Sequence, residues 1–237
     1  MPPGDVLVEL RDVIQDYHAL RPLRIQQLHL RQGQSLALVG FDLAMAEVLV
    51  NLITGASIPD TGRVNVFGRS THEIATADEW VGTLDRFGLI SERAVLVDQF
   101  TVEQNLALPR SLEIDEMSPG LRAETRALAE EVSLPADVLG APTGTLSAVM
   151  KLRLRLGRAL ALAPRVLLAE HPNASLSPDE APVFAADFAR IVGGRGLASL
   201  VLTADRTFAG AVADEVLTLE PATGALKAVS GWRRWFA

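Results

Sequence analysis

The sequence predicts an α/β protein whose core of alternating strands and helices carries an N-terminal antiparallel β subdomain and a mainly α-helical subdomain. Three observations lead to this fold class. A mostly apolar run at residues 35–39 ends at Gly40, and apolar residues at helical spacing follow it. Residues 100–141 are rich in Leu, Ala and Glu, which favours helix. Beyond residue 150, helical and apolar strand patterns alternate again, as in a buried parallel sheet.

The N-terminal part of the chain contains strand patterns on both sides of the first helix. Residues 6–10 alternate as a strand does, and residues 23–30 form a second strand pattern. Residues 44–53 are the predicted helix, which ends at Gly55 because glycine readily adopts the left-handed conformation of a helix C-terminus. A turn signal and an alternating strand within residues 59–68 predict a β-hairpin.

The C-terminal part returns to a regular alternation of helix and strand. The expected order is a helix, an apolar strand, a helix and a second apolar strand, at residues 150–162, 166–168, 182–191 and 199–203. We therefore expect one domain over residues 1–237, with the core and β subdomain in residues 1–99 and 142–237 and the helical subdomain in residues 100–141.

The composition limits the possible classes of function. The net charge of −7 and the isoelectric point near 5.2 disfavour nucleic-acid binding, which depends on clustered Lys and Arg. Cysteine is absent, which excludes disulfides and thiol chemistry. The longest apolar region, residues 36–53, contains Asp42 and Glu47, and the first residues lack a signal-peptide pattern. A cytoplasmic protein is expected, located at the inner face of a membrane only through a partner.

The order of these landmarks resembles the ATP-binding-cassette (ABC) ATPase family from about residue 6 to residue 219. The segments that carry the resemblance are the strand entering a phosphate loop, the helix leaving it, a tight turn, the stretch beyond the family's glutamine loop and the signature helix, at residues 32–40, 49–55, 59–64, 100–109 and 146–164. The resemblance implies a P-loop NTPase-like core of the ABC type. It also implies that residues 100–109 lie where such domains meet their membrane partners.

The phosphate loop departs most from the family pattern. Such a loop uses glycines to wrap backbone N–H groups around phosphate, a Lys on the β- and γ-phosphates and a hydroxyl on Mg²⁺. Gly40 is the first glycine of the loop, and Asp42 is one of the loop positions that follow it. By family spacing, the second glycine position is Met45, the lysine position is Ala46 and the hydroxyl position is Glu47. Leu43 stands at the intervening glycine. The chain has only two lysines, and neither Lys151 nor Lys227 follows a glycine-rich loop.

The strand at residues 166–168 leads to the family's Walker B position. The resemblance implies two carboxylates there, one organising Mg²⁺ and one acting as general base. Here Glu170 keeps a carboxylate that could hold Mg²⁺, whereas His171 replaces the general base. An imidazole can accept a proton near neutral pH. Without phosphates in place the imidazole has nothing to act on, so a structural role for His171 is favoured over a role as base.

The remaining nucleotide-facing positions have mostly changed as well. Glu92 stands at the glutamine loop, Ser177 at the second aspartate and Ala204 at the switch histidine. The signature keeps Ser147 and loses both glycines. Tyr17 stands where the family stacks an aromatic ring on adenine, although packing on the edge of the sheet explains it equally well.

Three functions remain open at the level of sequence. The leading interpretation is an ABC nucleotide-binding-domain-like pseudo-ATPase, with no cofactor, that serves as a docking or regulatory subunit beside a membrane permease or an intact ABC ATPase, and that could form a dimer. The first alternative is an ATP-binding ATPase subunit in which Glu47 and Glu170 hold Mg²⁺ and Arg63 or Arg69 replaces the lysine. The second is a soluble regulator that binds another ligand in the former nucleotide cleft.

The aromatic and basic segment at residues 231–237 suits either a membrane interface or a protein groove. It contains Trp232, Trp235 and Phe236 on either side of two arginines. Direct membrane contact by this chain would involve that segment. Packing of the segment onto its own domain is the alternative.

Overall fold

A computed structural model describes residues 4–229 and contains ten strands and seven α-helices in that part of the chain. The strands are β1 (Val6–Gln15), β2 (Leu23–Arg31), β3 (Ser35–Val39), β4 (Thr61–Val66), β5 (Arg69–Ser70), β6 (Phe87–Ile90), β7 (Val166–Glu170), β8 (Ala198–Leu202), β9 (Glu215–Glu220) and β10 (Ala225–Ala228). The helices are α1 (Leu43–Thr54), α2 (Ala77–Leu84), α3 (Val102–Ala107), α4 (Pro119–Glu131), α5 (Ala148–Leu160), α6 (Glu180–Arg195) and α7 (Arg206–Val212).

Two sheets organise these elements. One is antiparallel, has four strands and follows the order β2-β1-β4-β5. The other has six strands in the order β10-β9-β3-β8-β7-β6, and only its β10–β9 pair is antiparallel. The predicted α/β core with an N-terminal antiparallel β subdomain is therefore confirmed.

The central strands are buried on both faces because side chains alternate across a sheet. Leu36 and Leu38 of β3 pack on one face in a cluster with α1 and the four-stranded sheet. Ala37 and Val39 pack on the other face in a second cluster, which includes residues of α3 to α7. The β3 strand is buried along its whole length, which explains why its sequence is a nearly continuous apolar run.

Residues 100–141 contain α3, α4 and a short 3-10 turn, in agreement with the expected helical content. The α5 helix, which the resemblance identifies as the signature helix, begins two residues before the predicted start at residue 150. Five elements were not predicted, because they are short or lack a clear period: α2, β6, α7, β9 and β10. The β6 strand leads into the loop that carries Glu92 and Arg93.

The predicted hairpin is present, but its turn lies elsewhere. Residues 59–60 lead into β4, whose antiparallel partner in the hairpin is β5. The two-residue turn is formed by Phe67 and Gly68, which have φ values of 53° and 83°. Positive φ at both central positions is the geometry of a type I′ turn. The ring of Phe67 packs 4.9 Å from that of Phe87. The proline-containing signal at residues 59–62 was therefore the wrong choice of turn.

Within residues 4–229, none of the helices has both the length and the apolar character needed to span a bilayer. The aromatic segment at residues 231–237 lies outside the described residues.

Candidate functional site

The connection between β3 and α1 is the segment that corresponds to the phosphate loop. The β3 strand ends at Val39 and α1 already begins at Leu43, so only Gly40, Phe41 and Asp42 lie between them. Gly40 adopts a φ of 89°, which glycine reaches without strain. Phe41 is buried in the core. The positions that would curve around phosphate are therefore the first turns of a helix.

The N-terminus of α1 is capped by a side chain of its own chain. Asp42 Oδ1 accepts a hydrogen bond from the Met45 N–H at 2.8 Å, and the Asp42 carbonyl accepts one from the Ala46 N–H at 2.9 Å. A carboxylate at this end of a helix is stabilised by the helix dipole and satisfies donors that a phosphate would otherwise use. An external anion would compete with Asp42 for the same donors and would be repelled by its charge.

The side chains at the glycine and lysine positions pack as apolar residues. Ala46 is 1% exposed and belongs to the cluster that α1 forms with the sheets. Met45 is half-buried against the same cluster, whereas Leu43 is 71% exposed. The described geometry therefore offers a buried methyl group in place of the lysine side chain.

Arg93 lies at the centre of a polar cluster between the end of β7 and α1. Its guanidinium forms a two-pronged ion pair with Glu170, in which Nε donates to Oε2 at 3.1 Å and Nη2 donates to Oε1. Its Nη1 donates to Asn51 Oδ1 at 3.1 Å and lies 3.4 Å from Glu47 Oε1. One cationic side chain thus connects the end of β7 with the outer face of α1.

The Glu170 carboxylate is almost fully enclosed. Its side chain is 8% exposed, and Ser91 Oγ donates to Oε2 at 2.5 Å. Hydrogen bonding to Glu170 is the main cause that raises the pKa of Arg93, with further contributions from the charges of Glu170 and Glu47, while burial acts in the opposite direction. Arg93 therefore stays charged, and both Glu170 oxygens already have partners.

The Glu92 side chain, at the glutamine-loop position, contacts α5 and not Glu170. Glu92 forms two hydrogen bonds with Arg155 of α5, at 2.9 Å from Nη1 and 2.7 Å from Nη2. Its neighbour Arg93 contacts Glu170 of β7 and Asn51 of α1. Arg158 of α5 donates to the Val95 carbonyl at 2.6 Å. The loop after β6 is consequently held by the core on one side and by the signature helix on the other.

The arginine that the structure brings to Glu170 differs from those that the sequence suggested. Arg69 donates to Glu79 of α2 at 3.2 Å. Arg63 of β4 lies opposite Arg11 of β1 in the strand register of the four-stranded sheet. Both lie in the hairpin of β4 and β5. Arg93 was missed, although its position directly after Glu92 was a usable signal, because β6 was not recognised as the neighbour of β7.

His171 lies directly after β7 with a φ of 44°, an unusual value for a residue other than glycine. Its backbone N–H donates to the Leu202 carbonyl at 2.8 Å, which holds the turn against β8. Its Nε2 atom is buried without a hydrogen-bond partner among residues 4–229. The structural role of His171 and its role as a base stay predictions.

The other family-equivalent positions lie near the starts of helices or in loops. Ser177 Oγ accepts from the Glu180 N–H at 3.3 Å while Glu180 Oε2 accepts from the Ser177 N–H at 2.9 Å, which closes the start of α6. Ser147 caps α5 by accepting from the Met150 N–H at 3.4 Å. Ala204 is exposed in the loop before α7.

Tyr17 is half-buried and packs, as Met45 does, against the core cluster of α1 and the four-stranded sheet. Burial, and to a lesser degree the charge of Asp42, raises the pKa of Tyr17. The ring therefore lies near the start of α1. The adenine platform and the packing on the sheet edge stay predictions for Tyr17.

These features define the class of protein. The six-stranded sheet is mostly parallel, a short connection that begins at Gly40 joins β3 to α1, and an acidic residue ends β7. This arrangement is the core of a P-loop NTPase-like domain. The antiparallel sheet and the helices of residues 102–160 are the additions found in ATP-binding cassettes.

The chain belongs to the ABC transporter family and is a nucleotide-binding domain of that type. A model of that family, described as ABC transporter, matches residues 23–174. The lipoprotein-releasing system ATP-binding protein LolD of Maricaulis maris is 31% identical over 224 residues, which is 91% of this chain and 94% of LolD. The methionine import ATP-binding protein MetN of Brucella abortus is 28% identical over 216 residues, 90% of this chain. The match spans 57% of the length of that MetN.

Solved structures agree on the fold. The protein cbiO1 from Clostridium perfringens, part of the ABC transporter complex cbiONQ, superposes with a TM-score of 0.78 at 17% identity, covering 94% of this chain and 88% of cbiO1. A bacterial ABC transporter cassette solved as a dimer also gives 0.78 at 18% identity, covering 95% of this chain and 100% of its own.

Proposed function

We propose that this chain is a nucleotide-binding-domain subunit of an ABC transport complex that does not hydrolyse ATP and acts by docking. One observation carries the proposal: the Arg93 guanidinium lies between Glu170 and Glu47, the two carboxylates expected to approach Mg²⁺. Both Glu170 oxygens accept hydrogen bonds from Arg93 or Ser91. A divalent ion would have to displace a guanidinium of the same chain from a largely buried partner.

The phosphate side of the site supports the same conclusion. A charge-assisted contact of the kind that a lysine makes is worth about 1.5–3 kcal/mol, so its loss weakens binding about 10- to 150-fold. Ala46 cannot supply that contact, and the Asp42 carboxylate already accepts the Met45 N–H at the start of α1. One guanidinium facing two carboxylates also leaves the cluster negatively charged, which disfavours a polyphosphate.

The docking role is supported by the surface beside the loop that follows β6. A groove of about 140 Å³ there is lined by Phe87, Pro109 and Leu162, among other residues. Val95, which follows the groove residue Ala94 in sequence, is 70% exposed, and Leu162 is 44% exposed. The resemblance puts the membrane partner at residues 100–109. The transport-system names of LolD and cbiO1 are consistent with a permease or an intact ABC ATPase as the partner.

An ATP-binding ATPase subunit is the second candidate, and the names of the relatives favour it. LolD and MetN are both named ATP-binding proteins. In this candidate Arg93, which is 36% exposed, would turn from Glu170 toward the phosphates. Glu47 and Glu170 would then be free to hold Mg²⁺. It differs from the first candidate by requiring Arg93 to change partners on binding.

Titration calorimetry with Mg-ATP separates the two candidates. The docking subunit predicts no heat of binding for the wild-type chain at micromolar to submillimolar ATP. Micromolar binding that disappears in both Glu170→Ala and Arg93→Ala would establish the ATPase-type site instead. Arg110→Ala, which removes an exposed arginine of a surface ion pair, is the matched control.

Association is tested separately. Purification of the tagged chain from its own host should recover a membrane permease or an intact ABC ATPase. A monomer that recovers neither contradicts the docking role, whatever the calorimetry gives.

A further inference from the structure

An open apolar groove lies between α6 and α7, on the face of the six-stranded sheet opposite α1. Its volume is about 910 Å³, near the upper end of the ~300–1,000 Å³ typical of ligand clefts. Most of its lining is small and apolar and includes Pro178, Ala181, Pro182, Ala185, Phe208 and Ala211. Phe208 and Ala185 belong to the buried core, so the groove has a fixed floor.

Two carboxylates belong to the same groove. Asp205 and Asp214 are both exposed and lie at the two ends of the α7 segment. Asp205 also caps α7 by accepting from the N–H groups of Thr207 and Phe208 at 2.8 and 3.0 Å. The groove therefore combines an apolar floor with negatively charged ends, which suits an occupant that is both aromatic and basic.

The chain leaves its described part beside this groove. The Val229 N–H donates to the Val216 carbonyl at 2.9 Å, and Val216 follows Asp214 by two positions. Val229 also packs against the cluster that contains Phe208, as do Ala181 and Ala213 of the groove. Val229, the last described residue, therefore lies adjacent to the groove.

The segment at residues 230–237 has the composition that the groove requires. It reads Ser-Gly-Trp-Arg-Arg-Trp-Phe-Ala, with three aromatic side chains and two arginines. Eight residues span at most about 26 Å when extended, whereas the seven-residue α7 helix is about 10 Å long. The segment can therefore reach the whole length of α7.

We propose that residues 231–237 bind in the α6–α7 groove of the same chain, with the aromatic side chains on its apolar floor and Arg233 and Arg234 toward Asp205 and Asp214. Aromatic side chains bury large areas at modest entropic cost, and arginine is well suited to pair with carboxylates. The segment would cover this face of the domain. The inference is independent of whether the chain binds or hydrolyses ATP.

Tryptophan fluorescence tests the proposal because the chain contains three tryptophans and two of them belong to the segment. In a Trp80→Phe background, Trp232 and Trp235 are the only indole reporters. We expect blue-shifted emission and acrylamide quenching several-fold weaker than in the same protein unfolded in urea. Adding Ala211→Arg, at an exposed position of the groove, should red-shift the emission and restore quenching.

The matched control is Ala123→Arg, at an exposed position of α4 outside the groove, which should leave the fluorescence unchanged. Asp214→Arg should increase quenching, and combining it with Arg233→Asp and Arg234→Asp should reverse that increase. Emission that is red-shifted in the parent protein would overturn the proposal. So would a blue shift that requires anionic vesicles, or one that appears only as protein concentration rises, because these identify a membrane or a second copy as the occupant.

Discussion

Arg93 shows how one side chain can change the chemistry of a whole site. The guanidinium supplies a fixed positive charge where a bound metal and a lysine would be expected, and it is held by the end of β7 and by α1. Ion pairs with two parallel hydrogen bonds are stronger and more directional than simple contacts. Because Glu170 is largely buried, the removal of Arg93 would leave an uncompensated carboxylate.

Replacement of Arg93 by alanine should therefore lower the free energy of unfolding. We expect a loss of about 1–3 kcal/mol in urea denaturation, reduced from the value for a fully buried pair because Arg93 is itself partly exposed. Arg93→Lys should lose less, since it keeps the charge but not the two-pronged geometry. The control Arg110→Ala removes an exposed pair and should cost under about 1 kcal/mol. Equal losses for both alanine variants would contradict a special role for Arg93.

Glu9 predicts a pH-dependent contribution to stability in the four-stranded sheet. Its carboxylate accepts from Asn65 Nδ2 at 2.8 Å, and it also contacts Arg11 and His29 at 2.8 and 3.0 Å. The hydrogen bond from Asn65 is the largest cause that lowers the pKa of Glu9, and burial opposes it. Because the folded-state pKa is lowered, the contribution is complete above the unfolded pKa of about 4.3 and is lost as the pH falls through the folded value.

Asn65→Ala should thus destabilise the protein by about 1.5–3 kcal/mol near pH 6, and the difference from wild type should shrink below about pH 4. Urea unfolding at a series of pH values measures this. In a Glu9→Gln background the effect of Asn65→Ala should lose its pH dependence. An effect of constant size from pH 3 to pH 7 would contradict the assignment.

At the scale of elements, α5 packs unusually close to the edge strand β6. A Cβ atom added at Gly88 of β6 would lie 2.4 Å from the carbonyl oxygen of Ala159 in α5. The contact involves backbone, which cannot rotate away as a side chain can. The absence of a side chain at Gly88 thus permits the approach of the helix that Arg155 and Arg158 link to the loop after β6.

Gly88→Ala should separate α5 from β6 and destabilise the fold by about 1–3 kcal/mol, as overpacking does elsewhere. Gly82→Ala is a matched control in α2, where an added Cβ would meet nothing within 4 Å. That substitution should stabilise the protein by about 0.5–1 kcal/mol because alanine favours helix. Denaturant unfolding of both variants measures the contrast, and a neutral Gly88→Ala would show that the helix can shift freely.

At the scale of the whole molecule, the six-stranded sheet separates two apolar clusters, and the candidate site lies where strands β6 and β7 end. The Arg93 network joins elements of both clusters, since Glu170 ends a strand shared by both and Glu47 belongs to α1. In the proposed docking subunit, this network would supply the stability that a nucleotide otherwise provides by linking these parts.

Mg-ATP should accordingly leave the thermal midpoint of unfolding unchanged. A ligand present at 100 times its Kd would add about 2.7 kcal/mol, which corresponds to a rise of roughly 5–10 °C for a chain of this size. Differential scanning fluorimetry with Mg-ATP, with Mg²⁺ alone as the control, makes the measurement. A rise that depends on ATP concentration would contradict the docking subunit and favour the ATPase candidate.

The sequence alone was sufficient to predict the core fold. The apolar run of β3 and the helical spacing of α1 are local patterns, so their predicted bounds match the observed ones within one residue. The identities of Ala46, Glu47 and His171 followed from spacing and from the family resemblance. Such features depend on residues close together in the chain.

The tertiary structure decided what fills the altered site. Arg93 and Glu170 are 77 residues apart and meet because β6 and β7 are parallel neighbours with Ile90 opposite Ala169. The carboxyl ends of both strands therefore lie at the same edge of the sheet. The four-residue β6 strand has too little periodicity to be recognised from sequence. The local patterns thus determined the elements, whereas strand order determined which charges meet.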